Sequence, residues 1–303
     1  MPAGIFHIFQ RRGSPYGRKL FSDKTIKIAS VLLLLSVSAI AVVALGVRAT
    51  IFPTCMPVPT GRINPFTNTN VFTTKAMDET TGTIDATGCD IGDYIHSSIS
   101  VSGLTVRDAT QFGIFVDSGG PFAIPVTVSI FGATVHNIGA HTGTAFTPNG
   151  AQYGIGIIYD SGNAGPQATG SIDSSMVYAY QKGGIEVNRN SNVTTTNNVI
   201  TGSGHVAYIA QNGIEYARDA IGIIRGNTVS ANFYTGGTGL LANGSPCGGS
   251  FPACPPGRQY VSCGILLVLI DPNQIQRGQN DLNSPPPNDN QRNFAVVTDA
   301  AFD

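Results

Sequence analysis

The sequence predicts an all-β fold: a right-handed parallel β-helix, or solenoid of short stacked strands, preceded by one N-terminal transmembrane helix. Three observations predict it, namely a recurring glycine-led apolar pattern, a second recurring pattern out of phase with the first, and one long uncharged apolar run near the N-terminus. The composition agrees, because charged residues make up 12% of the chain and 37 of its 303 residues are glycine. Such a composition suits turn-rich β-structure better than a helical bundle.

The uncharged apolar run spans residues 28–47. At about 1.5 Å per residue, twenty helical residues cross a hydrocarbon core of roughly 30 Å. Residues 1–27 carry an excess of Arg and Lys, which keeps this segment cytoplasmic by the positive-inside rule. The sequence therefore predicts a single-pass membrane protein whose chain after Arg48 is extracytoplasmic. A cleaved signal peptide is the alternative, since Val47 and Ala49 suit a signal peptidase.

Five cysteines are consistent with export to an oxidising compartment. We expect one disulfide between Cys55 and Cys89 and one among Cys247, Cys254 and Cys263, although spacing does not define connectivity. A zinc site is the alternative, but the cysteines lack paired C-x-x-C spacing and nearby histidines. We therefore predict no metal site built from them.

Two repeats define the predicted strands. The first is a glycine followed by an apolar run, and it begins at Gly113, Gly154, Gly184, Gly213, Gly239 and Gly264. The second is a small or amide residue three positions before an aliphatic one, and it begins at Gly103, Gly132, Ser174, Asn197 and Gly226. Stacking such short strands at about 4.8 Å buries a continuous aliphatic column. Glycine and asparagine are expected where the chain turns with positive φ.

The repeats divide the chain into segments. Residues 48–92 are predicted to form a juxtamembrane spacer and N-terminal cap, residues 93–272 the β-helix, and residues 273–303 a polar C-terminal tail or cap with a strand candidate at 294–297. The 41-residue interval from Gly113 to Gly154 predicts an inserted loop at residues 136–149.

Several repeat stretches resemble a known family. Tyr180-Gln181-Lys182-Gly183-Gly184-Ile185 and Gly226-Asn227-Thr228-Val229-Ser230 are similar to stretches of right-handed β-helix repeat proteins of the pectate-lyase-like superfold, especially bacterial exported members. The resemblance covers roughly residues 91–272 and implies the fold. It leaves function open, because that superfold hosts lyases, hydrolases, epimerases, adhesins and scaffolds. The N-T-D, Asp-pair, H-G and R-I-K segments of the resembled polygalacturonases are missing, so hydrolysis by that route is not expected.

A duplicated G-I-E-x-x-R motif is the sharpest local signal. It contains Glu186 and Arg189 in one copy and Glu215 and Arg218 in the other. On adjacent strands these charges would stack. Two neighbouring carboxylates can share a proton or hold Ca²⁺, and an arginine can act as base or clamp for an acidic sugar, as in the resembled polysaccharide lyases. The alternative is a surface ion-pair ladder that contributes little.

Other side chains recur in ways that suggest contacts. Tyr153, Tyr159, Tyr178 and Tyr180 are candidates for a platform that stacks on sugar rings, with core packing as the alternative. Glutamine recurs two residues before the repeated glycine and predicts a ladder of stacked amides. It stands at Gln111, Gln152 and Gln211.

These patterns lead to one expected function and one alternative. A net charge of −1 gives no basic field for a nucleic-acid partner. We expect a membrane-anchored extracytoplasmic protein with a carbohydrate-binding or structural role, without enzymatic activity and without a required cofactor. The alternative is a polysaccharide lyase or epimerase that acts on acidic glycans, with Ca²⁺ as its possible cofactor. The sequence does not indicate an oligomeric state.

Overall fold

The computed structural model describes residues 54–121, 123–235 and 261–297. The predicted cytoplasmic segment 1–27 and transmembrane segment 28–47 lie outside these ranges, as do Cys247 and Cys254. Among the described residues, the structure contains no helix with the length and apolar character needed to span a bilayer.

The described chain is nearly all β, and its strands form three extended sheets. The first sheet has nine strands, and every pair is parallel except β1 and β2, which run antiparallel. In chain order its strands are β1 (Met56–Asn64), β2 (Thr69–Met77), β4 (Ile91–Ile95), β7 (Phe112–Asp117), β12 (Ile155–Asp160), β15 (Gly183–Asn188), β18 (Asn212–Ala217), β21 (Cys263–Val268) and β23 (Arg292–Val297).

The second and third sheets are parallel and have six strands each. The second contains β5 (Ser100–Ser102), β8 (Val126–Phe131), β13 (Ala168–Asp173), β16 (Asn192–Thr196), β19 (Ile221–Arg225) and β22 (Ile275–Arg277). The third contains β3 (Thr83–Asp85), β6 (Thr105–Arg107), β9 (Thr134–Ile138), β14 (Met176–Tyr180), β17 (Val199–Val206) and β20 (Thr228–Tyr234). A small hairpin of β10 (His141–Thr142) and β11 (Ala145–Phe146) and a 3-10 helix at Pro272–Gln274 complete the elements.

The chain visits the sheets in a repeating order, and we call one passage through the first, second and third sheets a coil. Each strand pairs with its counterpart in the next coil, an arrangement compatible with the predicted solenoid. Equivalent residues therefore form columns along the stack. One column runs through the first sheet and is almost fully buried, because it points between the sheets: Ile114, Ile157, Ile185, Ile214 and Ile265.

A column of glycines lies beside these isoleucines, and it corrects the sequence-based repeat. A Cβ on Gly113, Gly156, Gly184 or Gly213 would lie 2.5–2.7 Å from the carbonyl oxygen of the equivalent glycine in the next coil. These glycines are required by close approach of the backbone, and none of them has a positive φ. The register places Gly156 in the column, so the predicted start at Gly154 is wrong by two residues.

The predicted strand at Gly239 lies outside the described residues. Strand β21 pairs directly with β18, with Asn212 opposite Cys263. Among the described residues, the glycine-led strand that follows Gly213 in the first sheet therefore begins at Gly264, 51 residues later.

The second repeat marks the turn from the second sheet to the third. Gly103, Gly132, Ser174, Asn197 and Gly226 all have positive φ, between 52° and 67°, as the sequence predicted for turn positions. The residue that follows each of them is buried, and in later coils it is polar. Amides stack there.

The amide ladder involves asparagines and not the predicted glutamines. Asn198 donates from its backbone N and its Nδ2 to Oδ1 of Asn227, at 3.0 and 2.9 Å. Asn227 donates in the same way to Oδ1 of Asn280, at 3.1 and 3.0 Å. Gln211 is buried too, but its Nε2 donates to the carbonyl oxygen of Tyr180 at 2.7 Å, and Gln152 is exposed. The predicted glutamine ladder is therefore wrong.

Both ends of the described chain extend the first sheet. Strands β1 and β2 form a ribbon within the segment expected to be spacer and cap, and Cys55 beside it forms a disulfide with Cys89, with 5.6 Å between the Cα atoms. This is the pairing expected from the sequence. At the other end β23 pairs with β21 inside the expected tail. Cys263 is a buried free thiol.

The β1–β2 ribbon also covers the outer face of the first sheet. Val58 and Phe72 of the ribbon pack with Tyr94, Phe115 and Ile158 in a second apolar cluster, separate from the core between the sheets. The ribbon backbone contacts the sheet as well, since the Gly61 N–H donates to Oδ2 of Asp117 at 2.8 Å.

Candidate functional site

The duplicated G-I-E-x-x-R motif lies on two neighbouring strands of the first sheet. Glu186 of β15 is directly opposite Glu215 of β18. Arg189 and Arg218 follow the two strands, each at a turn with positive φ of 47° and 52°. The two glutamates therefore stack as the sequence predicted, and the two arginines lie at equivalent turns after their strands.

Arg189 is held by a buried carboxylate. Its Nη1 donates to both oxygens of Asp160, at 2.8 and 2.7 Å, and the Asp160 side chain is only 1% exposed. Arg62 of the ribbon contacts the same carboxylate, with 3.3 Å between its Nε and Oδ2 of Asp160. A guanidinium engaged in this way is not free to remove a proton from a sugar.

Glu186 is held by the ribbon. Its Oε1 accepts from Nη1 of Arg62 at 3.3 Å and from Nδ2 of Asn188 at 3.1 Å. Burial acts to lower the pKa of Arg62, but the negative charges of Glu186 and Asp160 outweigh it, so the pKa is raised. Arg62 therefore remains a cation that joins both carboxylates, and sequence analysis missed it because it lies 124 residues before Glu186.

Glu215 and Arg218 complete this charged network. Nδ2 of Asn212 donates to Oε2 of Glu215 at 2.8 Å. Burial, and then the neighbouring charge of Glu186, raise the pKa of Glu215. Nη1 of Arg218 donates to Oδ1 of Asn188 at 3.4 Å, and burial together with Arg189 lowers the pKa of Arg218.

The network does not fit a calcium site. Glu186 and Glu215 provide two adjacent carboxylates, and one of them is already paired with Arg62. Within the described ranges no group of three or more His, Cys, Asp or Glu side chains is placed to hold a metal ion. Calcium prefers six to eight oxygen ligands, and two carboxylates, one of them already paired with Arg62, fall short of that number.

The prediction of sugar-stacking tyrosines is wrong for two of the four residues. Tyr159 and Tyr180 are fully buried between the sheets. The Tyr159 hydroxyl donates to the carbonyl oxygen of Val128 at 2.8 Å, and the Tyr180 hydroxyl donates to Oδ1 of Asn232 at 2.6 Å. Both rings point inward, because Tyr159 is in register with buried Val187 and Tyr180 is in register with buried Ile138. Neither ring is accessible to a sugar.

The other two candidates are partly exposed, but each of their rings packs against a neighbouring aromatic ring. Tyr178 stacks on His136 of the preceding coil, with ring centroids 4.9 Å apart and planes 3° apart. Tyr153 packs edge-on against Phe66 of the ribbon, with centroids 4.9 Å apart. Neither forms the open platform that the sequence suggested.

The structure places a cleft where the chain turns from the third sheet to the first. Its volume is ≈ 190 Å³, below the roughly 300–1,000 Å³ typical of pockets for drug-sized ligands. Its walls combine phenol, amide, ammonium and small apolar groups. They come from Gly150, Gln152, Lys182, Tyr208, Ile209, Ala210 and Tyr234.

The residues directly after the inserted loop, Gly150 and Gln152, form one wall of the cleft, and Gln181 holds the loop and this segment in place. Oε1 of Gln181 accepts from the backbone N–H groups of Ala140 and Asn149, at 3.1 and 3.0 Å. Its Nε2 donates to the carbonyl oxygen of Ala151 at 2.7 Å. The neighbouring Lys182 turns toward the cleft, where Nζ donates to the carbonyl oxygen of Ala210 at 3.4 Å.

Tyr208 and Tyr234 come from two successive coils. Burial raises the pKa of Tyr208 even though Ser203 hydrogen-bonds its hydroxyl, so the ring presents a neutral phenol. A wider open depression of ≈ 530 Å³ surrounds Asn227 and Asn280, but the amides of both are used in the asparagine ladder. The smaller cleft is therefore the better candidate for a ligand site.

The fold and the cleft define this chain only as a nearly all-β protein with parallel sheets and a small mixed-polarity cleft. Comparison with protein-family models, with curated proteins and with solved structures gives no significant match.

Proposed function

We propose that this chain is a membrane-anchored, extracytoplasmic carbohydrate-binding protein, and that its coils form a right-handed β-helix of the pectate-lyase-like kind. The parallel pairing of successive coils supports the β-helix, and right-handed crossovers are the strong preference for parallel strands. The apolar run at residues 28–47 and the basic segment before it support the anchor.

The cleft lined by Tyr208, Tyr234 and Lys182 carries the binding proposal. Tyrosine rings bury the apolar face of a sugar while their hydroxyls hydrogen-bond to it. Lys182 and Gln152 add a cation and an amide that orient hydroxyl or carboxylate groups. The small volume suits one ring of a longer glycan.

The charged network supports a binding role over the lyase or epimerase alternative. Arg189, one of the two candidate bases, is paired with Asp160. The other, Arg218, donates to Asn188, and Glu186 is paired with Arg62. A lyase needs a base within reach of the proton it removes. In this network the charged groups that could remove a proton already hydrogen-bond to one another, as Arg189 does to Asp160 and Arg62 to Glu186.

The test is glycan binding by the full chain in lipid nanodiscs, measured on a panel of neutral and acidic polysaccharides. We expect binding without formation of an unsaturated product. Tyr208→Ala combined with Tyr234→Ala should weaken binding about tenfold or more, since each 1.4 kcal/mol corresponds to a factor of ten.

Tyr178→Ala is the matched control for that pair. Tyr178 is also partly exposed, but it lies against His136 and away from the cleft, so affinity should not change. Unsaturated product that disappears in an Arg218→Ala variant would instead support the lyase. Absence of binding to every glycan would refute the proposal.

A further inference from the structure

Exposed apolar side chains concentrate on the β1–β2 ribbon. Five of the ten large hydrophobic residues exposed in the described chain belong to it: Met56, Ile63, Phe66, Val71 and Met77. Ile63 is 61% exposed, Phe66 is 55% exposed and Val71 is 40% exposed. Isolated exposed apolar residues are ordinary, but a group on one small element indicates an interaction surface.

The ribbon is two-sided, and its exposed side is distinct from the side that packs on the sheet. Val58 and Phe72 are buried against the first sheet. Val71 pairs with Pro59 on the opposite side, because successive residues of a strand point to opposite faces. Ile63 and Phe66 lie at or beside the turn that joins β1 to β2. We call Ile63, Phe66 and Val71 the ribbon tip.

The charge of the ribbon fits a lipid headgroup surface. Residues 54–77 contain no Asp or Glu, and Lys75 adds a positive charge to the ribbon. The other cation, Arg62, is already paired with Asp160 and Glu186 and does not count toward this surface. Basic residues near a membrane are attracted to anionic lipids, whereas carboxylates are repelled. A surface for another acidic or mixed-charge protein would not require this complete lack of acids.

Few residues separate the proposed anchor from the ribbon in the sequence. Six residues, 48–53, separate the end of the apolar run from Thr54. Fully extended, six residues span at most about 20 Å. Cys55 follows immediately, and its disulfide to Cys89 ties the start of the ribbon to the first coil.

We propose that the ribbon tip inserts into the headgroup region of the bilayer as a second membrane contact. This inference rests on the anchoring part of the proposed function. Aromatic and aliphatic side chains that enter the interface gain apolar burial there. Phe66 provides the aromatic group, because 55% of the residue remains exposed although its ring packs edge-to-face against Tyr153. The contact adds to the anchor and restricts how the coils are presented above the membrane.

The chain contains no Trp, so one introduced Trp reports its own position without background. The full chain carrying Phe66→Trp is reconstituted in vesicles with and without lipids brominated on their acyl chains. Phe131→Trp on the second sheet is the matched control, because Phe131 is 54% exposed and lies outside the ribbon. We expect quenching at position 66 to be at least several-fold stronger than at position 131.

Equal quenching at the two positions would overturn the proposal. So would a Trp at position 66 that acrylamide reaches from water while brominated lipid does not quench it. Shielding from both quenchers would also overturn it, and would point to a second copy or another protein on the ribbon tip.

Alkaline extraction of the same vesicles separates this inference from the anchor. Chain that stays in the bilayer while position 66 remains unquenched refutes the ribbon contact alone. Chain that alkali releases from the bilayer refutes the anchor as well. Circular dichroism of both variants checks that each retains the β-structure of the unmodified chain.

Discussion

The register of a strand decides whether a polar side chain is exposed to a ligand or buried between the sheets. Tyr159 and Tyr216 occupy the same column as Val116 and Val187, so both rings are buried. The sequence reveals the tyrosines but not the column, because a shift of one residue exchanges the inner and outer faces of a strand. Arg62 was missed for a related reason, since only the folding of the ribbon over the sheet brings it to Glu186.

Asp93 is a carboxylate in a position where later coils place isoleucine. It pairs in register with Ile114 and is fully buried. Its Oδ1 accepts from the Glu79 N–H at 3.3 Å, and its Oδ2 has no hydrogen-bond partner among the described residues. Burial, with smaller effects from Asp78 and Glu79, raises the pKa of Asp93 to about 7.

This pKa predicts how stability depends on pH. The folded chain keeps the Asp93 proton up to about pH 7, whereas an unfolded aspartate loses it near pH 3.9. The free energy of unfolding should therefore fall as pH rises from about 4 to about 7, by a few kcal/mol at most. Asp93→Asn should remove most of this decline and make the chain more stable at pH 8, as measured by urea unfolding across pH.

Asp219→Asn is the control for this prediction. Asp219 is exposed at a turn with φ of 66°, a conformation that Asn also tolerates. Its substitution should leave the pH profile unchanged. An Asp93→Asn profile identical to that of the unmodified chain would contradict the assignment.

At the scale of strands, the glycine-led repeat was correct in kind and wrong in its cause. The sequence suggested glycine for turns, but the glycines of the first sheet are in strands where the next coil leaves no space for a Cβ. In Gly154-Ile155-Gly156-Ile157 two glycines satisfy the same pattern. Only the register with Gly113 and Gly184 selects Gly156, and sequence spacing does not contain that information.

Two adjacent glycines at the start of β15 give a matched test of this explanation. A Cβ on Gly184 would lie 2.6 Å from the carbonyl oxygen of Gly213 and 2.5 Å from a methyl carbon of Ile200. A Cβ on Gly183 would have its nearest neighbour at 3.6 Å. Gly184→Ala should lower the free energy of unfolding by about 1–3 kcal/mol, whereas Gly183→Ala should have little effect.

Chemical unfolding of the two variants measures this difference. Equal stability of Gly184→Ala and Gly183→Ala would show that the coils do not approach each other in this way.

The asparagine ladder was also only partly visible in the sequence. Its residues follow the positive-φ turns that the sequence did predict, but inward-pointing amides become visible only when coils stack.

At the scale of the whole molecule, the sequence predicted the all-β coils, the Cys55–Cys89 pairing and the stacking of Glu186 on Glu215. These follow from local patterns that repeat. The cleft could not be predicted in the same way, because its walls come from the segment after the inserted loop and from turns of three later coils. Gly150 and Tyr234, which both line it, are 84 residues apart. A surface of this kind depends on which turns of successive coils lie next to each other.

The cleft, the charged network and the ribbon contacts all depend on the register of the coils. Thr127 pairs with Thr169 in the next coil, with 2.8 Å between their Oγ1 atoms, and Thr169 pairs with Asn192 one coil further on. Adjacent coils lie about 4.8 Å apart, within the Cα separation that a disulfide spans, and alternate coils lie roughly twice as far.

The most direct measurement is oxidative cross-linking of engineered cysteines in the full chain, mapped by peptide mass spectrometry. We predict that Thr127→Cys with Thr169→Cys forms an intramolecular disulfide, and that Thr127→Cys with Asn192→Cys does not. Cross-linking of the second pair in preference to the first would contradict the register of the coils.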